Sequence, residues 1–165
     1  MIKRSKTDYH NFWVLIACLI IAFLPGVIGS VITSGTLNSS WYESVKPSIA
    51  PPNWVFSIIW VILYFLIGIS LYYLWTAKGD NNHKLKICVF FGTNLLFNAL
   101  WSIAYFSLRD VYLAFIIMLF ILISLLGVMI ISFRRSKISG YLLIPYLLWI
   151  LFATFLNYLS LAKVM

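Results

Sequence analysis

Charged residues are confined to short segments of this chain, and the five long intervals between these segments contain no charge. Each interval can hold about 20 helical residues, the length that an α-helix needs to cross the hydrocarbon core of a bilayer. The pattern therefore predicts five membrane-spanning helices, near Phe12 to Ile32, Trp54 to Trp75, Ile87 to Leu108, Val111 to Phe133 and Ile138 to Ala162. We expect an all-α membrane protein with one five-helix transmembrane domain over residues 1–165.

The composition supports this interpretation. The chain has 165 residues, of which 63% are hydrophobic and 10% charged, whereas charged residues make up about 25% of an average soluble domain. The five predicted helices fill nearly the whole chain. Any function must therefore lie within the helix bundle or on its short loops.

The basic residues predict the orientation of the bundle, because short cytoplasmic loops are enriched in Lys and Arg. The same residues attract anionic membrane lipids, and their scatter over separate loops argues against nucleic-acid binding. One side collects Lys3, Arg4, Lys6, Lys78, Lys84, Lys86, Arg134, Arg135 and Lys137, and the other has Lys46, Arg109 and Lys163. We predict a cytoplasmic N-terminus and an external C-terminus.

The predicted spans contain no Asp, Glu, Lys, Arg or His, the residues on which proton relays and ion-coupled carriers depend. His10 and His83 lie outside the spans without further ligands at suitable spacing, so we assign no metal site. Conventional acid–base and nucleophilic hydrolysis inside the membrane are excluded on the same ground. Cys18 and Cys88 fall within apolar spans, and we expect both to be buried packing residues.

The longest predicted loop contains the sequence WYESVKPSIAPPNW, which is unlike a flexible linker. Trp41 and Tyr42 are aromatic residues of the kind that lie at head-group depth. Pro47, Pro51 and Pro52 restrict the backbone and reduce the entropy that is lost on ordering. Two interpretations stay open: the loop forms a lid over the bundle, or it is an aromatic belt followed by the start of a helix.

Polar and aromatic residues recur at helical spacing in the third predicted span. Asn94, Asn98, Trp101 and Tyr105 follow one another at steps of four, three and four, so they share one helical face. Two amides and an indole are costly in contact with lipid, so we expect this face to point inward. There it either hydrogen-bonds neighbouring helices or contacts a ligand.

The second and fifth predicted spans carry aromatic-rich faces as well, formed by Phe56, Trp60 and Tyr64 and by Trp149, Ala153, Leu156 and Asn157. Pro145 is expected to bend the last helix, which widens the space between the helices unless these faces simply pack together. A pocket with flat aromatic walls and a few amides suits a large, flat, mostly apolar molecule. Porphyrins, sterols and polyaromatic drugs all have this character.

Two local motifs complete the pattern. Pro25, Gly26 and Gly29 predict a kink in the first helix or a close approach to its neighbour. Leu156, Tyr158 and Lys163 fit a spacing proposed for cholesterol contact, although Lys163 is also explained as an interfacial anchor.

Three segments together resemble a known family: WYESVKPSIAPPNWVFSIIWVILY (Trp41 to Tyr64), NLLFNALWS (Asn94 to Ser102) and LLIPYLLWILFATFLNY (Leu142 to Tyr158). In this order they are typical of the translocator protein family, also called the tryptophan-rich sensory protein or peripheral benzodiazepine receptor family (TspO/MBR). The chain looks like a bacterial member. The resemblance implies a five-helix bundle of the bacterial cytoplasmic membrane, usually a homodimer, with a pocket beneath the loop between the first two helices.

The resemblance also implies the ligands and the residues that bind them. Family members accept protoporphyrin-type tetrapyrroles, cholesterol and benzodiazepine-site ligands, and no bound cofactor is required. The family's ligand-binding positions correspond here to Tyr42, Pro51, Trp60, Asn94, Asn98, Trp149 and Ala153, to which the shared helical face adds Trp101, and the lid residues are Trp41, Pro47 and Pro52.

In bacterial relatives, a light-dependent breakdown of protoporphyrin IX has been attributed to the tryptophans at the positions of Trp60 and Trp149. An indole beside an excited porphyrin can donate an electron without an acid–base group. We therefore expect a membrane-embedded tetrapyrrole-binding sensor or regulator, and keep a porphyrin-degrading enzyme and a facilitative transporter of porphyrin, sterol or another flat ligand as alternatives. The cholesterol-type motif ends in Lys163 where animal members have a closer arginine, which makes a tetrapyrrole the better expected ligand.

Overall fold

Long apolar helices make up most of the described part of the chain. The computed structural model describes residues 6–37, 39–77 and 81–165, with side chains from residue 11 onwards. Within these residues, five helical segments are long and apolar enough to cross a membrane, which confirms the predicted all-α membrane fold. The helices are α1 (Lys6–Ser34), α2 (Ser40–Val45), α3 (Asn53–Thr76), α4 (Asn81–Ser102), α5 (Val111–Arg135), α6 (Lys137–Leu142) and α7 (Ile144–Val164), and a π-helical turn (Ile103–Ser107) extends α4.

Several helix boundaries differ from the predicted ones. α4 begins at Asn81, before the predicted start at Ile87, because the polar residues that precede the apolar interval also form helix. The loop after α1 contains the short helix α2, whose N-cap Ser39 accepts a hydrogen bond from the backbone N–H of Tyr42 at 3.2 Å. The last span consists of α6 and α7, with Pro145 in the first turn of α7, where its missing N–H removes no helical bond.

α1 lies very close to its neighbours at its two central glycines. The helix continues through Pro25. A Cβ atom on Gly26 would lie 2.6 Å from Cε2 of Tyr64, and one on Gly29 would lie 3.0 Å from Oγ of Ser102. The predicted close approach is therefore present, and it brings α1 directly against α3 and α4.

Apolar side chains cover both the inside and the outside of the bundle. Ile67 and Leu125 are buried in the core, whereas Ile123 is exposed on the outer surface. Because lipid is as apolar as the core, hydrophobicity alone does not distinguish the two faces. The expectation for the cysteines is correct for Cys18 and wrong for Cys88, which is exposed.

The two ends of the bundle differ in charge. Among the described side chains, one end carries Lys84, Lys86, Arg134, Arg135 and Lys137, and the other end carries Lys46, Arg109 and Lys163. Lys3, Arg4 and Lys78, which contribute to the predicted orientation, lie outside the described residues, as does the side chain of Lys6. The orientation in the membrane therefore stays a prediction.

Candidate functional site

A cavity of about 400 Å³ lies inside the bundle, at the end where the loop between α1 and α3 covers it. Its walls come from α1, α3, α4, the π-helical turn and α7, and none of the described residues that line it belongs to α5. This volume is within the range of pockets that bind small molecules.

The cavity opens sideways between α1 and α3. Val27 and Ser30 of α1 and Ser57 and Val61 of α3 line the cavity and are also exposed on the outer surface of the bundle. The cavity therefore borders the exposed surface of these two membrane-spanning helices.

Two stacked aromatic pairs belong to the wall of the cavity. Trp60 stacks on Tyr64 with ring centroids 5.2 Å apart, and Trp101 stacks on Tyr105 at 5.4 Å. The π-helical turn adds a residue to the helical repeat, so Phe106 also faces the cavity, at 5.9 Å from Trp101 and perpendicular to it. Flat faces and ring edges are thus both presented to a ligand.

A buried hydrogen-bond network stands behind this wall. The hydroxyl of Tyr146 accepts a bond from Asn98 Nδ2 at 2.6 Å and donates one to Asn94 Oδ1 at 2.9 Å. Asn94 Nδ2 donates to the carbonyl of Ile121 and to Ser124 Oγ on α5, so this amide joins α4 to α5 and α7. Asn94 is therefore an interhelical contact and does not line the cavity.

Asn98 makes the predicted interhelical hydrogen bond and also lines the cavity. Its Nδ2 donates to Tyr146 and to the carbonyl of Asn94. Its Oδ1 accepts no hydrogen bond from any described residue, and Asn98 lines the cavity. The side-chain oxygen Oδ1 of Asn98 is thus held in place by the bonds of Nδ2 and keeps its capacity to accept a hydrogen bond.

Two further side-chain bonds hold α7 against the end of α4. Trp101 Nε1 donates to Asn157 Oδ1 at 2.8 Å, and the hydroxyls of Tyr105 and Ser160 lie 2.9 Å apart. All four residues line the cavity. Their mutual bonds fix the orientation of the aromatic rings before a ligand arrives.

The loop from Trp41 to Asn53, called the lid loop below, packs against the π-helical turn. Tyr42 is buried and its ring centroid lies 5.8 Å from that of Phe106, while Trp41 contacts Tyr105 at 5.7 Å. Burial raises the pKa of Tyr42 to about 12, with smaller contributions from Tyr105 and Glu43. The neutral phenol is therefore the form present at physiological pH.

Cationic side chains hold the lid loop at its two edges. The guanidinium of Arg109 lies 5.8 Å from the ring centroid of Trp41. Lys163 Nζ, at the end of α7, donates a hydrogen bond to the backbone carbonyl of Lys46. Arg109 has a positive φ of 56°, a conformation that is strained for a residue with a side chain.

The cavity brings together most of the predicted ligand-binding residues. Five of the eight predicted ligand-binding residues line it, namely Tyr42, Trp60, Asn98, Trp101 and Ala153, and the other three, Asn94, Pro51 and Trp149, do not. Of the three predicted lid residues, Pro47 lines the cavity, whereas Trp41 and Pro52 do not. The ligand-binding role of these side chains stays a prediction, but their common location gives it a definite geometry.

Trp149 lies on the outer side of the wall. Its ring contacts Phe56 edge to face at 5.4 Å, and Phe56 rather than Trp149 lines the cavity. Trp149 lines a separate apolar groove between α3 and α7. Its Nε1 is buried without a hydrogen-bond partner among the described residues. Of the two tryptophans that the resemblance connects with porphyrin breakdown, only Trp60 has surface in the cavity.

The three residues of the cholesterol-type motif point in different directions. Leu156 lines the cavity, Tyr158 is exposed and contacts Phe115 at 6.2 Å, and Lys163 bonds the lid loop. They share no common surface. The structure therefore gives this linear motif no single site.

Several lining residues have no counterpart in the predicted site. Phe23 and Val27 of α1 belong to the wall, as do Lys46 and Asn53 in the lid loop. The two α1 residues are no different in character from their apolar neighbours, so the sequence gives no signal for them. Lys46 is the one basic residue of the predicted loop, which was the available signal.

Comparison with known sequences agrees with the motifs. The chain matches the TspO/MBR family over residues 14–161. The "Tryptophan-rich protein TspO" of Archaeoglobus fulgidus is 38% identical over 90% of this chain and 95% of its own length. The "Tryptophan-rich sensory protein" of Cereibacter sphaeroides is 29% identical over 85% of this chain and 87% of its own, and the human "Translocator protein" is 31% identical over 72% and 71%. This chain is an integral membrane protein that belongs to the TspO/MBR family.

Proposed function

We propose that this protein binds protoporphyrin-type tetrapyrroles within the membrane and acts as a sensor or regulator. The observation that carries the proposal is the cavity, whose stacked pairs Trp60–Tyr64 and Trp101–Tyr105 present flat aromatic surface to an interior space that is open to the membrane. A relative named "Tryptophan-rich sensory protein" supports the sensing role.

The chemistry of the wall fits a flat ring system. Aromatic rings interact favourably with other rings in offset or edge-to-face arrangements, and the wall offers both. The open acceptor on Asn98 suits a ring N–H of a metal-free tetrapyrrole. Ala153 is small and leaves room beside α7. The ligand is thus held by stacking, and a single amide sets its orientation.

A light-dependent reaction is the second candidate, and the position of Trp60 favours it. Its indole lines the cavity, so it would lie beside a bound porphyrin and could donate an electron to the excited ring, which would pass it to dioxygen, the oxidant of the breakdown. Trp60→Phe is then expected to slow the loss of porphyrin absorbance under light. Trp149→Phe is expected to change it little, because Phe56 lies between Trp149 and the cavity.

Equilibrium binding tests the proposed function. The protein in lipid nanodiscs is titrated in the dark with protoporphyrin IX, and quenching of tryptophan fluorescence is recorded. We expect saturable quenching, with an affinity that falls about tenfold in Asn98→Leu, because a ligand donor loses its buried acceptor. Asn82→Leu, the same change at an exposed position of α4, is the control. Non-saturable quenching that is equal in all three proteins would show partitioning into lipid and refute the proposal.

A further inference from the structure

One charged side chain faces the cavity. Among the described residues that line it, Lys46 alone carries a formal charge. It extends, half-buried, from the lid loop, and every other lining group is apolar or neutral. An ammonium group at the edge of an apolar space is unfavourable unless it is paired or strongly hydrogen-bonded. An anionic group in the cavity would therefore be stabilised by the ammonium of Lys46.

The described residues supply only neutral partners for this ammonium. Nζ of Lys46 lies 3.1 Å from Asn53 Oδ1 and 5.5 Å from the ring centroid of Tyr42. The hydroxyl of Tyr42 also reaches Asn53 Oδ1, at 3.4 Å. No described carboxylate pairs with Lys46. An ammonium has three donors, so two of them are left for a ligand.

The backbone around Lys46 is held firmly, which fixes where the ammonium can reach. Its N–H donates to the carbonyl of Tyr42 at 2.8 Å, and its own carbonyl accepts the bond from Lys163. The flanking residues Val45 and Pro47 are buried. These contacts anchor the backbone from which the Lys46 side chain extends to the cavity.

We infer that Lys46, with Tyr42 and Asn53, forms a carboxylate-binding subsite at the lid end of the cavity. The ligand is then a flat apolar acid, with its carboxylate at Lys46 and its ring system between the aromatic walls. This inference rests on the proposed function of the cavity. One ammonium accommodates one carboxylate, so the second acid group of a dicarboxylic ligand such as protoporphyrin IX stays in water.

Esters of the same porphyrin test the subsite without changing the ring. Protoporphyrin IX, its monomethyl ester and its dimethyl ester are titrated against the wild-type protein, Lys46→Met and Lys46→Arg in nanodiscs. We expect the wild type to bind the acid and the monoester about equally, and both about tenfold more tightly than the diester. Lys46→Met should lose this preference and Lys46→Arg should keep it. Lys137→Met, at the opposite end of the bundle, is the control and should behave as wild type.

The outcomes separate the two proposals. Equal, saturable binding of the acid and the diester by the wild type would overturn the subsite and leave the proposed function intact. Absence of saturable binding for all three compounds would overturn both. Ionic strength gives a readout that needs no variant, because added salt should weaken binding of the acid to the wild type and leave the diester unaffected. Equal salt dependence for the two compounds would also overturn the subsite.

Discussion

Tyr146→Phe should destabilise the bundle by about 1.5 kcal/mol, although the change removes only one oxygen atom. Tyr146 is 1% exposed. Its hydroxyl accepts a hydrogen bond from Asn98 Nδ2 and donates one to Asn94 Oδ1. Phenylalanine fills the same space but leaves both amides with an unused polar group.

The loss of the Tyr146 hydroxyl affects the two amides to different extents. Asn98 lines the cavity, where water can replace the lost partner, and its Nδ2 keeps the bond to the carbonyl of Asn94. Asn94 is 3% exposed, and its Oδ1 loses its only partner among the described residues. An unpaired buried acceptor costs about 1–3 kcal/mol in soluble proteins, whereas interhelical bonds in membranes contribute about 0.6 and at most about 1.7 kcal/mol. The expected loss in the free energy of unfolding lies where these two ranges overlap.

Reversible unfolding in mixed detergent and SDS micelles, followed by circular dichroism, measures the loss. Tyr158→Phe is the matched control, because Tyr158 is 53% exposed and its hydroxyl makes no hydrogen bond with the described residues. We expect this control to be as stable as wild type. If Tyr146→Phe unfolds at the same SDS fraction as Tyr158→Phe, the network contributes nothing to stability and the reasoning is refuted.

Two other predictions address the wall and the lid loop. Gly26→Ala should destabilise the protein by about 1–3 kcal/mol and weaken porphyrin binding, because the added Cβ would lie 2.6 Å from Tyr64 and displace that ring. The control Gly92→Ala should do neither, because no heavy atom lies within 4 Å of its added Cβ. Tyr42 has a pKa of about 12 in the folded protein against 10.0 in the unfolded chain, so the unfolded chain ionises first as the pH rises. The resulting stability is fully present below pH 10 and disappears as the pH approaches 12. The free energy of unfolding of the wild type should therefore fall relative to that of Tyr42→Phe over this range, and a difference that does not change with pH would contradict the assignment.

The number and position of the spans could be predicted because membrane insertion depends on local properties, namely the length of an apolar segment and the charges that bound it. The inward face of α4 could be predicted for a related reason. Asn94 and Asn98 are costly in lipid, and both are buried. A polar residue within a span therefore shows which side of the helix faces the interior of the bundle, whereas an apolar residue does not.

Apolar and aromatic residues were harder to place, because lipid and protein core solvate them equally well. Cys88 is exposed for this reason. Trp149 and Ala153 are four residues apart on α7 and share a helical face, yet only Ala153 lines the cavity. Phe56 of α3 occupies the space on the cavity side of Trp149. Helical spacing gives no information about such a choice between side chains on different helices.

The lid loop shows a different limit. Its prolines and aromatic residues predicted an ordered segment, but helix α2 depends on contacts of Tyr42 with Phe106, more than sixty residues away in sequence. From the sequence, Lys46 bears only on the orientation of the bundle in the membrane, because its place in the cavity follows from the fold of the whole loop. The π-helical turn after α4 likewise depends on tertiary packing and has no local sequence signal.

A structure of the protein crystallised with protoporphyrin IX would show where a tetrapyrrole binds. We predict that the porphyrin ring lies inside the cavity between Trp60 and Trp101, with one carboxylate within hydrogen-bond distance of Lys46. Porphyrin bound only on the outer surface of the bundle, for example in the groove beside Trp149, with the cavity empty, would contradict it.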